Sequence, residues 1–157
     1  MKRAKVVDKR IVTSLINHLG VGTDVDVLHT FTYPGTIFGL HYEMTAYLDN
    51  AISEQSIFNV AIYLLQDGVN NPTMNLPGTG SRLMNQGDER GVLVSHTLFP
   101  RRILLVDTSL VVKDDKVSGH IKTERKVHAG DKLVIISRGD ATLGTSLISM
   151  LTYWIRS

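Results

Sequence analysis

The chain has 157 residues, 17 Lys and Arg against 15 Asp and Glu, and no cysteine. That length suits one compact domain with a real core, and 43% hydrophobic with 20% charged residues excludes a disordered chain. The missing cysteines exclude a disulfide scaffold, a Cys-ligated zinc or iron–sulfur site and a thiol nucleophile, and no apolar run nears the ~20 residues of a membrane helix.

The net charge of +2 is unevenly spread. Residues 1–10 hold Lys2, Arg3, Lys5, Lys9 and Arg10 against Asp8 alone, so this segment carries +4 and the remaining chain −2. Basic arms of this kind neutralise nucleic-acid phosphates and release counterions. The same residues also make an ordinary solvated terminus. No secretory-type apolar run follows them, so a cytosolic, nuclear or assembled-particle setting is expected.

Asp8–Leu19 reads two ways. Ile11, Leu15 and Leu19 would share one side of a helix capped by Asp8, whereas Ile11, Val12 and Thr13 are β-branched and favour a strand. Gly20-Val21-Gly22 resembles a hairpin turn joining this run to the alternating Asp24–Tyr33, which favours strand. Thr36–Leu48 alternates a wholly apolar or aromatic set (Phe38, Leu40, Tyr42, Met44, Ala46, Leu48) with a mixed one, as a strand with one buried face does. Gly39 inside it marks a bulge or a close approach. Ser56–Leu65 alternates likewise. Val69–Arg90, rich in Pro, Gly and Asn, predicts a long loop for binding or assembly, or a plain surface excursion.

Strands are expected at Gly91–Phe99, Arg102–Asp107, Ser109–Val112, Lys132–Ser137 and Gly144–Ile155. Ser118–Val127 is polar on both parities, as an exposed or interface strand would be. Ala129-Gly130-Asp131 reads as a tight turn, with Asp131 capping backbone N–H groups. Eight or nine strands without a helix mean an all-β sandwich or barrel. The expected organisation is a basic arm over 1–10 and one domain over 11–157.

Catalytic chemistry is sparse. The six histidines form no His-x-His or His-Glu-x-x-His pair, no nucleophile elbow or phosphate-binding loop occurs, and no catalytic residue, metal or cofactor is expected. Gly78-Thr79-Gly80-Ser81 sits in a loop rather than before a helix. His120 and Glu124 share a strand face, which reads as an exposed polar surface rather than a metal site. Asp88-Glu89 and Asp114-Asp115 read as solvated turns rather than calcium ligands. Arg101 and Arg102, and the strand bearing Lys122, Arg125 and Lys126, add phosphate contacts if they share a face with the arm.

Phe31–Tyr42 (FTYPGTIFGLHY), Lys122–Ile136 (KTERKVHAGDKLVII) and the terminal Thr152–Ile155 (TYWI) resemble segments of the small capsid proteins of circular, Rep-encoding single-stranded DNA viruses, the CRESS-DNA or circovirus-like group. The resemblance implies an eight-stranded antiparallel jelly-roll sandwich of viral-capsid type. It implies a structural coat protein found in the virion, and in the host nucleus or cytoplasm during assembly. Its partners would be about sixty copies of itself in an icosahedral shell and viral nucleic acid, single-stranded DNA, with no membrane. Lys2, Arg3, Lys5, Lys9, Arg10, Arg101 and Arg102 would contact that nucleic acid. The family usually carries a long Arg-rich arm, and here only five basic residues stand in its place. The alternative is a β-sandwich ligand-binding module, lectin-like or tumour-necrosis-factor-like.

Overall fold

The computed structural model describes residues 7–18, 22–48, 57–75, 77, 83–84, 87–107, 109–139 and 145–156. Its strands are β1 (Val7–His18), β2 (Asp24–Thr30), β3 (Gly35–Leu48), β4 (Phe58–Leu65), β5 (Val92–Leu98), β6 (Arg101–Leu104), β7 (Leu110–Lys113), β8 (Asp115–Val127), β9 (Lys132–Gly139) and β10 (Thr145–Arg156). One 3-10 turn, Asp88–Gly91, precedes β5.

Two four-stranded sheets, ordered β1-β10-β3-β8 and β2-β9-β4-β5, face each other, and β6 pairs β7 separately. The chain runs out through β1, β2, β3 and β4 and returns through β5, β8, β9 and β10. Each outgoing strand pairs antiparallel with a returning one: β1 with β10, β2 with β9, β3 with β8 and β4 with β5. Except at the β4–β5 turn-back, which stays in one sheet, successive strands of the sandwich alternate between sheets, so this doubled ribbon is rolled into a jelly roll. The expected eight strands are the sandwich. The β6–β7 hairpin is an addition between β5 and β8.

Alternation drives the packing. Leu40, Met44, Leu133, Ile135, Leu147, Leu151 and Tyr153 are fully buried between the sheets, as period-2 strands with one apolar face require. Tyr42 of β3 and His96 of β5 share a hydrogen bond of 2.6 Å across the sandwich. A Cβ at Gly119 would lie 2.4 Å from the Tyr42 hydroxyl, so this glycine makes room for the link.

Several expectations change here. Val7–His18 is a strand, but it forms no hairpin with β2: β1 lies beside β10 and β2 beside β9, in opposite sheets. Turn-like residues between two runs do not fix which partner each run takes. The strand begins at Val7, so the boundary drawn at residue 10 falls inside β1. β8 is not polar on both faces, because Val117 and Ile121 pack against the core. The long loop is more than a surface excursion. Met74 and Met84 form an isolated bridge within it, and both are fully buried. They lie with Ala61, Tyr63, Leu65, Val134 and Ile136 in a second core on the outer side of the β2-β9-β4-β5 sheet. Arg138 Nη1 donates to the Met74 carbonyl at 2.7 Å, and the Met74 N–H donates to Thr23 Oγ1 at 2.9 Å.

Other readings agree with the structure. Gly130 has φ of 93°, and the Asp131 carboxylate accepts from the Asp67 and His128 N–H groups at 3.0 and 2.9 Å. Gly39 marks both features named for it. The register shifts there, and a Cβ would meet Trp154 Cε3 at 3.2 Å. Gly78-Thr79-Gly80 and Ser81 lie outside the described residues.

Candidate nucleic-acid interface

Odd residues of β1, even residues of β10, odd residues of β3 from Gly39 onward and even residues of β8 form the outer face of their sheet. The bulge at Phe38 switches the parity of β3, so Ile37 is buried in the core and Phe38, expected on the buried face, is not. Direct antiparallel partners share a face, and the registers give four rows across all four strands. The first is Lys9, Trp154, Gly39 and Lys122. The second is Ile11, Thr152, His41 and His120. The third is Thr13, Met150, Glu43 and Ser118. The fourth is Leu15, Ile148, Thr45 and Lys116.

The face has two halves. One is apolar and open: Ile11, Leu15, Ile148 and Met150 are 61%, 57%, 48% and 40% exposed. β1 is the edge strand of its sheet, and edges of this kind invite pairing or covering.

The other half is basic and aromatic. The Lys9 ammonium stands 6.0 Å from the Trp154 ring centroid and the Arg156 guanidinium 5.2 Å from that of Phe38, within or at the limit of cation–π attraction. The six-membered half of the Trp154 indole lies over Gly39. His120 meets the indole edge-on at 5.7 Å and stands 6.3 Å from His41. Phe38 is the extra residue of a bulge opposite β10, and it lines a shallow depression with Lys122, Thr123, Glu124 and Arg156. Two carboxylates share the face: Glu124 is 4.0 Å from Arg156, and Glu43 is 3.7 Å from His41.

The expected basic residues do not all gather here. Lys9 does, and Lys122 shares its row. Arg10 points the other way because neighbouring strand residues alternate. It stands 3.6 Å from Asp8 and lines a cleft of about 300 Å³ with His29, Phe31, Tyr33 and Tyr153. Burial, reinforced by the Arg10 charge, holds the His29 imidazole below the ordinary 6.5. Burial raises the Tyr153 phenol, opposed by Arg10 and helped by Asp8. Arg101 is exposed on the β6–β7 hairpin, opposite Lys113, and Arg102 follows it in β6. Arg125 turns away and donates to the Arg90 carbonyl at 2.8 Å. Lys2, Arg3 and Lys5 lie outside the described residues. Trp154, Phe38 and Arg156 were not expected in the site. The parity of the last strand could have flagged Trp154, but its place beside Lys9 and Lys122 needs the sheet order.

Among the described residues no three His, Asp or Glu side chains are grouped to hold a metal ion, and no helix is long and apolar enough to cross a membrane. Asp115, read as part of a solvated turn, is instead the first residue of β8, and its carboxylate accepts from the distant Phe99 N–H at 2.7 Å.

No protein-family model matches the sequence, and a comparison with curated proteins finds no match. Solved structures with a similar course include a CocE/NonD family hydrolase from Staphylococcus aureus, at 10% identity and a TM-score of 0.47. That match covers 98% of this chain, which spans only 34% of the hydrolase. The Eiger TNF of S. frugiperda matches at 10% identity and a TM-score of 0.40, over 99% of this chain and 94% of that one. A decameric BFDV capsid protein matches at 10% identity and a TM-score of 0.37, over 98% and 97%. None of the three reaches a TM-score of 0.5, and none assigns a role to this chain.

Proposed function

We propose that the chain is a viral coat subunit, a structural protein without catalytic activity. Copies self-assemble into a closed icosahedral shell, about sixty in number, around a single-stranded DNA genome. The basic N-terminus faces that genome through Lys2, Arg3, Lys5 and Lys9, with Arg101 and Arg102 adding charge from the hairpin, whereas Arg10, expected among them, is turned toward Asp8 and the cleft. The virion is its final location, reached through assembly in the host nucleus or cytoplasm.

One observation carries this reading beyond the sequence resemblance. The outer face of the β1-β10-β3-β8 sheet leaves Ile11, Leu15, Ile148 and Met150 in water beside a strand edge. A monomer gains nothing from such a band, whereas a repeating assembly buries it. Electron microscopy of the purified full chain tests the proposal. Closed shells of uniform diameter are expected, and Ile11→Asp with Leu15→Asp should leave dispersed, folded subunits. A wild-type chain that stays monomeric across salt and pH contradicts the proposal.

A second reading, a lectin-like or tumour-necrosis-factor-like sandwich, is favoured by the aromatic cleft at His29, Phe31 and Tyr153, whose volume lies at the low end for small-ligand sites. It predicts a small fixed oligomer and no shell.

A further inference from the structure

We propose that the basic, aromatic half of the β1-β10-β3-β8 outer face is a stacking platform for single-stranded nucleic acid, centred on Trp154. This rests on the coat reading for the source of the strand and goes beyond it by naming the site and its chemistry. Proteins that hold single strands without sequence preference combine a cationic track for the backbone with aromatic rings on which bases stack. Both parts lie in one row here. Trp154 stands in the middle of the sheet, with Lys9 on one neighbouring strand and Lys122 two strands away on the other side of Gly39. At about 4.8 Å between strands, the lysine backbones are roughly 14 Å apart, with the indole between them. A second ring and cation, Phe38 and Arg156, adjoin the row.

Three details favour a strand of nucleic acid over an apolar protein partner. The cations on the face are Lys9, Lys116, Lys122, Lys126 and Arg156 against the carboxylates Glu43 and Glu124, a net positive surface suited to phosphates. Gly39 lacks the Cβ that would crowd the indole at 3.2 Å, so the ring settles onto the sheet. The apolar half of the same face ends where this half begins, at Ile11 and Thr152. A major-groove or minor-groove reader would need a protruding element, and this face has none among the described residues. Unpaired bases laid flat against the sheet suit it better.

Trp154 is the single tryptophan of the chain, so its fluorescence reports this site alone. The experiment titrates the full chain, as dispersed subunits, with a deoxythymidine oligonucleotide of about fifteen nucleotides. Binding should quench Trp154. Quenching should persist when Lys2, Arg3 and Lys5 are replaced by Ala, although affinity falls. Lys9→Gln, Lys122→Gln and Arg156→Gln together should lower the slope of log affinity against log salt by about 2, since each single-strand phosphate contact contributes about 0.7. Trp154→Leu, followed with a labelled oligonucleotide, should weaken binding by about 5- to 100-fold with little change in that slope. Glu124→Gln should tighten binding.

Polyphosphate, which has charge but no bases, should bind weakly and leave Trp154 fluorescence unchanged. Tight binding without quenching, equal quenching by polyphosphate, or binding untouched by the exposed Lys122→Gln would each overturn the platform. Because Trp154→Leu could unsettle the sheet, the lysine variants keep the test decisive. Shells that assemble from a chain showing no quenching would sink this inference and leave the coat reading standing.

Discussion

The two sheets of the sandwich have the same number of strands and treat their outer faces in opposite ways. The β2-β9-β4-β5 sheet is covered by the chain's own long loop, which seats Met74 and Met84 on Ala61, Tyr63, Val134 and Ile136. Among the described residues the β1-β10-β3-β8 sheet has no such cover over Ile11, Leu15, Ile148 and Met150, which are exposed. β9 is therefore apolar on both parities, with Leu133, Val134, Ile135 and Ile136 all buried, whereas β1 and β10 alternate buried with exposed apolar residues. One face is finished within the subunit. The other is left for something outside it.

Substitutions should separate the two faces. The largest effect is expected beneath the loop: Met84→Ala or Met74→Ala removes a fully buried side chain and should cost about 2–5 kcal/mol in urea denaturation. Between the sheets, Gly119→Ala forces a methyl against the Tyr42 hydroxyl and should cost about 1–3 kcal/mol by the same measurement. At the cleft, burial and then the Arg10 charge hold the His29 imidazole below its ordinary value. The unfolded chain binds a proton there more readily, so stability should decline as pH falls below about 6.5 and level off below the lower folded value. Tm followed against pH should show that decline, and His29→Asn should remove its part of it. The smallest effect on the subunit belongs to the bare face: Leu15→Ser or Ile148→Ser should shift stability by no more than about 0.5 kcal/mol yet abolish particles in sedimentation velocity. A large loss of stability from either would mean that the face is not bare.

Much of this was legible in the sequence. Period-2 alternation placed β3, β4 and β10, a short continuous apolar run placed β9, and Gly39, Gly130 and Asp131 announced their bulge and turn. Pairing was not legible, because GVG suggested a local hairpin whereas the rolled ribbon sends β1 to β10 across the whole chain. The loop also hid its role. Met74 and Met84 are isolated apolar residues among Pro, Gly and Asn, and no period marks them as core. The candidate site was half visible. Lys9 and Lys122 could be picked out as cations, but residues 113 apart in sequence become row-mates only once β10 and β3 stand between them. Arg10 and Arg101 fell elsewhere because strand alternation and the β6–β7 hairpin turn them from that face.

The contrast between the faces is tested most directly by methionine oxidation, read by mass spectrometry after brief peroxide treatment of dispersed subunits and of assembled particles. Met150 should oxidise readily in the subunit and become protected in the particle, while Met74 and Met84 stay spared in both. Oxidation of Met150 at the same rate in both states, or of Met74 and Met84 as fast as Met150 in the folded subunit, would contradict the account.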